Sequence, residues 1–288
     1  MIQKHKLPPL YPFNYAPIIK RALNEDFGEA GDITTDAIVS VDSKAVARIV
    51  ARKEGCLAGL EVALSVFTTL DNDVSIDRKY EDGEDVSAGE TIALVSGSAR
   101  VLLSGERTAL NLLGRMSGIA TMTRNLSLAV KNYKARIVCT RKTAPGLRLL
   151  DKYSVRAGGG VNHRFGLGDG ILIKDNHRLM AGGIYNAVES VRKRLGHMVK
   201  LEVEVDTLAE LKEVLGLDVD AVLLDNMKPS ILANAVSLVD GRVLTEASGG
   251  ITPEKVAEVA ATGVDLISLG WLTHSVKNWD VGLDFEPK

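Results

Sequence analysis

The sequence predicts an α/β protein in two parts, an antiparallel α+β region followed by a small or incompletely closed barrel of parallel strands. Six short apolar runs in the second half end in charged or glycine-bearing clusters: RIVCTRK (136–142), ILIKDNH (171–177), KLEVEV (200–205), AVLLDN (221–226), RVLTEASGG (242–250) and LISLGW (266–271). Between them lie stretches with helical spacing, such as YNAVESVRKRLG and TLAELKEVLGL, and strand, helix, parallel strand is the βαβ pattern. The first part reads differently. AVARIVAR and ETIALVSG alternate apolar and polar residues as half-buried antiparallel strands do, and EDGEDVSAGE carries turn residues.

Taken in order, LEVALSVFTTL has helical spacing between those two strands. GERTALNLLGRMSGIATMTRNLSLAV (105–130) then places Leu110, Leu113, Ala120 and Leu126 at helical intervals and carries the chain into the barrel. The expected division is residues 1–112 and 113–274, with the last segment, 275–288, rejoining the first domain. The strand ends at 142, 174, 204, 225, 248 and 270 leave room for a crossover helix in every gap, since parallel strands need connections of about a dozen residues or more. Six strands fall short of the eight of a closed barrel of this type.

The chain has 288 residues, 45% hydrophobic and 25% charged, which suits a soluble globular protein with a large core. A formal net charge of −2 gives no electrostatic case for nucleic acid or an anionic membrane. Cys56 and Cys139 belong to no metal-ligand spacing and are expected to be reduced core residues. The opening MIQKHKLPPLYPFN has proline and polar residues where a signal peptide needs an apolar run, and no window approaches the roughly 18 apolar residues of a membrane span. The expected compartment is the cytoplasm. HExxH, GxSxG, GxGxxG and paired cysteines are all missing, so protease, hydrolase-elbow, dinucleotide and structural-zinc readings lack support.

Active sites of such barrels lie at the C-terminal strand ends. Arg141, Lys142, Lys174, Glu204, Asp225, Ser248 and Gly250 are therefore expected to share one mouth. Charge is sorted along the barrel: residues 136–178 hold nine Lys/Arg and three Asp, and residues 202–225 hold eight acids and one Lys. A basic side suits several anionic groups, and an acidic side suits a cation, with Mg²⁺ favoured by carboxylate oxygens and substrate phosphates. Solvated helix faces explain Lys152, Arg156, Glu210, Glu213 and Asp218 equally well. They explain Lys174, Glu204 and Asp225 poorly, because these follow or lie within apolar strands. In KLEVEV, Glu202 and Glu204 share a face, with Glu202 one layer deeper.

The glycines carry a second signal. EASGGI (246–251) and LGW (269–271) end the last two strands, where phosphate sites of these barrels are commonly built, and a helix beginning at ITPEKVAEV is expected to add its N-terminal dipole. Arg141 and Arg164 suit bidentate recognition of carboxylates or phosphates. His163 fits a loop-holding role nearly as well as a ligand contact. Arg107, on the interdomain helix, reads from sequence alone as a solvated arginine.

EDFGEAGDITT (25–35), GERTALNLLGRMSGIAT (105–121), TRKTAPGLRLLDKYSVRAGGGVNHR (140–164), LIKDNH (172–177), EVEV (202–205), LLDNM (223–227), ASGGI (247–251) and LGWLTHS (269–275) together resemble the quinolinate phosphoribosyltransferase family, also called carboxylating nicotinate-nucleotide pyrophosphorylases. The likeness runs across nearly the whole chain in order. GRMSG (114–118) departs from the family's usual Gln-Arg-Leu-Ser-Gly run and touches nothing catalytic. The resemblance implies an N-terminal α/β sandwich, with an antiparallel sheet plus helices, followed by an incomplete α/β barrel of six or seven parallel strands. It implies transfer of the phosphoribosyl group of 5-phosphoribosyl-1-pyrophosphate to quinolinate, giving nicotinate mononucleotide, pyrophosphate and CO2 in de novo NAD synthesis, with Mg²⁺ required.

Carried over to this chain, the family's pattern gives Arg107, Arg141, Lys142, His163 and Arg164 to the quinolinate carboxylates, with Lys142 closest to the chemistry. Lys174 goes to the pyrophosphate side. Glu204 and Asp225 hold the ribose hydroxyls and Mg²⁺, which makes Lys142, Glu204 and Asp225 the expected catalytic set. Ser248, Gly249, Gly250 and Gly270 cradle the 5-phosphate, and Thr140, Leu269 and Trp271 complete the substrate-binding set. The family also implies a homodimer in which Arg107 enters the neighbouring active site. Three rivals stay open at this point: a paralogous group associated with molybdenum transport genes, a lipoyl-type carrier suggested by VSAGETIALVSG, and a Schiff-base aldolase using Lys142 or Lys174.

Overall fold

The computed structural model describes residues 7–286, so the extreme termini lie outside the described residues. They include the start of the segment read for a signal peptide. The described chain forms two compact units. The first runs up to Arg124 and takes in Thr143–Gly159 and the stretch from Leu272 onward; the second comprises Asn125–Lys142 and Gly160–Trp271.

The first unit holds helices α1 (Pro12–Phe27), α2 (Ile33–Ile38), α3 (Leu60–Leu70), most of α4 (Ala99–Ala129) and α5 (Arg148–Ala157). Its strands are β1 (Lys44–Ala51), β2 (Gly55–Cys56), β3 (Ser75–Arg78), β4 (Asp85–Val86), β5 (Thr91–Ser98) and β12 (Val281–Phe285). The two alternating segments, β1 and β5, pair antiparallel in the order β12-β1-β5-β3, with Arg48 opposite Leu94. Alternation leaves each strand one apolar face, and that face needs a cover. LEVALSVFTTL supplies part of it: α3 buries Leu60, Val62, Ala63, Leu64, Val66 and Phe67. The α1 stripe Tyr15, Ile18, Ile19 and Leu23 repeats at helical spacing and joins the same core.

The boundary expected at residue 112 falls inside α4, where Leu112 and Leu113 are both buried. Thr143–Gly159 belongs to the first unit because α5 sends Leu150 and Ala157 into that unit's core.

The second unit contains six parallel strands: β6 (Arg136–Val138), β7 (Ile171–Ile173), β8 (Leu201–Val205), β9 (Ala221–Asp225), β10 (Leu244–Ser248) and β11 (Leu266–Ser268). With them run α6 (Asp175–Ala181), α7 (Ile184–Arg192), α8 (Leu208–Val214), α9 (Pro229–Val239), α10 (Val256–Ala261) and the start of α11 (Trp271–His274). Spatial order is β6-β11-β10-β9-β8-β7, so β6 and β7, consecutive in sequence, form the two edges. Closure would require those edges to meet. Instead the β6 side carries a single bridge, Val138 to Val161, where a further strand would run. This is the incomplete barrel that six short runs implied. The crossover helix expected between β6 and β7 exists, but it is α5 and packs in the other unit.

Burial on both faces explains the near-continuous apolar runs of β8 and β9. Glu202 and Glu204 are the exceptions, both buried, two residues apart and therefore on one face. No helix among the described residues is long and apolar enough to cross a membrane.

Candidate active site

All the expected site residues except Arg107 lie in the second unit, and all of these but His163 and Arg164, which lie between the Val161 bridge and β7, are on or just beyond the C-terminal ends of its strands. β7 ends at Ile173, and Lys174 follows as the N-cap of α6. Its Nζ donates to Glu204 Oε2 on the adjacent strand β8 at 2.5 Å. Glu204 is buried, whereas the lysine is half exposed, so this pair sits at the edge of solvent. Asp225 is the last residue of β9. Burial, then the charges of Glu204 and Asp206, push its carboxyl above the usual aspartate range, and Lys174 and Lys142 pull it back. Three acidic groups and two lysines thus share one electrostatic neighbourhood.

β6 is shorter than the apolar run suggested, ending at Val138, and Thr140–Lys142 lie beyond it. Thr140 Oγ1 accepts from the Lys142 N–H at 3.0 Å, which tightens the turn. Lys142 passes directly over Gly270: a Cβ there would lie 2.6 Å from Lys142 Cδ. Leu269 is buried, and its N–H donates to Val138 O, so its side chain is held in the core and its amide in the sheet. Trp271 Nε1 donates to Ile251 O at 2.9 Å, tying the glycine-bearing ends of β10 and β11 together.

Ser248 closes β10, and Gly249 and Gly250 follow with φ of +91° and +60°. Two consecutive residues in that region favour glycine. A Cβ on Gly250 would meet nothing within 4 Å, which leaves the backbone open to an incoming group. The helix expected immediately afterwards begins with a 3-10 turn at Pro253–Lys255, and α10 is only six residues long. So short a helix, entered through a 3-10 turn, offers little N-terminal dipole to a phosphate, and the open glycine backbone is what remains to receive one.

Arg164 donates to Gly170 O at 2.9 Å, and burial, then the charge of Arg141, holds its guanidinium below the usual value. An anion placed near both guanidiniums would offset that repulsion. His163 has both ring nitrogens engaged by protein groups: Nδ1 accepts from the Arg164 N–H at 2.7 Å, and Nε2 lies 2.9 Å from Glu202 Oε2. That arrangement fixes the imidazole's orientation. Arg107 lies on α4 in the first unit, exposed, with Glu106 Oε1 3.8 Å from its guanidinium.

Two residues near the site escaped the sequence reading. Glu246 on β10 is buried, with Oε1 lacking a hydrogen-bond partner, and burial, then Glu202, pushes it up to about 7. With His163 and Glu202 it forms the cluster of three metal-capable side chains among the described residues, which includes neither Glu204 nor Asp225. The signal was available, since TEAS places an acid inside the strand near its end, as KLEVEV does with Glu202 and Glu204. The other is Asn226, directly after Asp225, with a φ of +52°.

Comparison with known proteins identifies the family. Residues 32–117 match the family described as quinolinate phosphoribosyl transferase, N-terminal domain, and residues 119–284 match its C-terminal domain. A Bacillus subtilis protein named probable nicotinate-nucleotide pyrophosphorylase (carboxylating) is 46% identical over 270 residues, covering 92% of this chain and 93% of that protein. A Nicotiana tabacum quinolinate phosphoribosyltransferase (decarboxylating) is 40% identical over 97% of this chain and 85% of its own length. Among solved structures, NadC from Streptococcus pyogenes superposes with a TM-score of 0.92 at 38% identity, covering 97% of this chain and all of that one. With residues 32–117 and 119–284 matched to its two domains, this chain belongs to the quinolinate phosphoribosyl transferase family.

Proposed function

We propose that this chain transfers the phosphoribosyl group of 5-phosphoribosyl-1-pyrophosphate to quinolinate, with decarboxylation, giving nicotinate mononucleotide, pyrophosphate and CO2 in NAD biosynthesis. The observation that carries the reading is the Lys174–Glu204 pair across adjacent strand ends, with Asp225 on the next strand and Arg141 beside Arg164 on the basic side. A dicarboxylate acceptor accounts for the arginines, and a ribosyl donor accounts for the carboxylates.

In this reading the ring nitrogen of quinolinate attacks C1 of the ribose as the bond to pyrophosphate breaks, the bonding electrons leaving with pyrophosphate. The ribosyl carbon gains positive charge in the transition state, and the carboxylates of Glu204 and Asp225 stabilise it while accepting from the ribose hydroxyls. Lys174 meets the departing pyrophosphate. Arg141, Lys142 and Arg164 hold the quinolinate carboxylates; His163, with both ring nitrogens engaged by the Arg164 N–H and Glu202, backs that group rather than contacting the substrate. Loss of CO2 leaves an electron pair on the ring carbon, which takes up a proton. Ser248, Gly249, Gly250 and Gly270 hold the 5-phosphate, with Thr140, Leu269 and Trp271 lining the same end.

Glu204 and Asp225 fit Mg²⁺. Burial, then the charge of Glu204, raises Asp225, which a dication offsets, and two carboxylates completed by substrate phosphates is the ion's usual protein set. When bound, the ion neutralises charge on the pyrophosphate as it leaves.

The working unit we assign is a homodimer in which Arg107 enters the partner's site. Its support in this structure is an exposed flank: Leu103 and Arg107 lie four residues apart on one face of α4, and Ile33, Ile38 and Val41 are also exposed. The compartment we assign is the cytoplasm, which suits two buried, unbridged cysteines.

An aldolase reading needs a desolvated lysine. Lys174 is half exposed and ion-paired, which argues against it. The reading is tested by incubating the protein with quinolinate, 5-phosphoribosyl-1-pyrophosphate and Mg²⁺ and measuring nicotinate mononucleotide; none formed would refute it.

A further inference from the structure

Only two non-glycine residues with positive φ occur among the described residues, Asp240 and Asn226. Asp240 needs no special account, because it is the left-handed cap that ends α9. Asn226 caps no helix. It stands between the last residue of β9 and Lys228, the N-cap of α9. Its backbone is pinned by donation from its N–H to Ser248 O at 2.9 Å, and its side-chain amide donates to Asp225 Oδ2 at 2.5 Å. No other hydrogen bond to the Asp225 carboxylate is found among the described residues.

The neighbouring strand end is shaped around this side chain. A Cβ on Gly249 would lie 2.6 Å from Asn226 Cγ, 2.8 Å from its backbone nitrogen and closer still to Oδ1. Gly249 is thus the floor on which the amide lies. Asparagine tolerates the left-handed region better than most residues, but glycine tolerates it best. If the position served only the turn, nothing would call for an amide. The amide aims at the one strand-end carboxylate crowded by two other acids, Glu204 and Asp206.

We propose that Asn226 is a positioning residue: its side-chain amide, seated on Gly249, fixes the orientation in which Asp225 meets the ribosyl donor. This rests on the reading that Asp225 serves that donor. Asn226 touches neither substrate and acts through Asp225.

The informative variant is Asn226→Gly, which satisfies the backbone and removes only the amide. Its thermal midpoint should match or exceed that of the wild type. Its affinity for 5-phosphoribosyl-1-pyrophosphate with Mg²⁺, measured by calorimetry without acceptor, should fall about 10- to 100-fold, the usual cost of losing a partner that orients a ligating group. Quinolinate binding alone should not change. Asn226→Asp keeps the size without the donor and should lose at least as much donor affinity. On an Asp225→Asn background, Asn226→Gly should add nothing further, since both act through one group. Wild-type donor affinity in Asn226→Gly, with Asp225→Asn impaired, would reduce Asn226 to a turn residue. An equal loss of quinolinate affinity would also overturn the proposal, by showing general damage. If Asp225→Asn itself binds donor normally, the reading of Asp225 fails and the positioning role falls with it.

Discussion

Lys142 crosses Gly270 so closely that the smallest side chain there would collide, its Cβ lying 2.6 Å from Lys142 Cδ and 3.4 Å from Nζ. The relationship joins the turn after β6 to the end of β11, strands that pair directly through Ile137 and Ile267. Gly270 therefore acts by absence: it gives the lysine a path across the mouth.

Gly270→Ala should displace Lys142 with little effect on folding, because Gly270 does not occupy the positive-φ region. A misplacement of about 1 Å at a reacting group costs on the order of 100-fold in rate. The variant should lose activity on that scale while its melting temperature moves by a few degrees at most. Full activity would show that Lys142 reaches its working position by another route.

The acid partners give a second test. Glu204→Gln breaks the 2.5 Å pair with Lys174 and removes a charge beside Asp225, so ribosyl transfer should slow markedly. Asp225→Asn should slow it as well and weaken the response to Mg²⁺. The lysine of the Lys174–Glu204 pair is half exposed, and pairs open to solvent on one side contribute about 1 kcal/mol to stability. Both variants should therefore unfold at nearly wild-type denaturant concentrations. Unaltered rate and metal response in both would reduce them to solvated strand ends.

Glu246 makes a prediction about pH. Its folded value is raised from 4.5 to about 7, so the folded state holds the proton more tightly than the unfolded chain. The stability this contributes is fully present below about 4.5, declines as pH rises toward 7, and is lost above it. A shift of this size corresponds to roughly 3 kcal/mol. Glu246→Gln should flatten the dependence of the denaturation midpoint on pH across that window. An unchanged profile would place the proton elsewhere in the cluster with Glu202 and His163.

A fourth prediction concerns the first unit. Arg115 grips the fully buried Asp151 with two hydrogen bonds, 2.8 and 2.9 Å, and Asp151 also accepts from the Ala144 N–H. Removing one partner of a buried pair typically costs 3–5 kcal/mol. Asp151→Ala should destabilise by about that much in chemical denaturation, and a loss below about 1 kcal/mol would contradict the assignment.

Much of this architecture was legible in the residues. Apolar runs ending in Lys174, Asp225 and Gly270 announced both the parallel strands and the mouth, because burial dictates the run and the strand end dictates where polar groups are tolerated. That the barrel stays open was legible from its six runs, but the place of the seam, between β6 and β7, was not. The periodicity of α5 is the same whichever core receives Leu150, so sequence spacing gives no hint that this crossover packs in the other unit. Glu246 was missed because one acid inside an apolar strand looks like a solvent-facing residue until its neighbours are known. Asn226 was missed because its role depends on a backbone angle. Pattern alone also began a helix at ITPEKVAEV, where a 3-10 turn at Pro253–Lys255 comes first.

The shared-site reading is testable by subunit mixing. If Arg107 acts in the partner's site, Arg107→Ala and Lys142→Ala homodimers should each be nearly inactive. A mixed dimer places both lesions in one site and neither in the other, so it should recover up to about half of wild-type activity. No recovery in verified heterodimers would confine Arg107 to its own subunit or to no role.

The central claim is decarboxylating transfer to a dicarboxylate, and acceptor choice tests it most directly. With 5-phosphoribosyl-1-pyrophosphate and Mg²⁺ in excess, quinolinate labelled in its 2-carboxylate should release labelled CO2 in step with nicotinate mononucleotide, one for one. Nicotinate, which lacks that carboxylate and leaves cationic groups unpaired, should react far more slowly. Comparable turnover of the two acids, or nucleotide formed without CO2, would contradict the account.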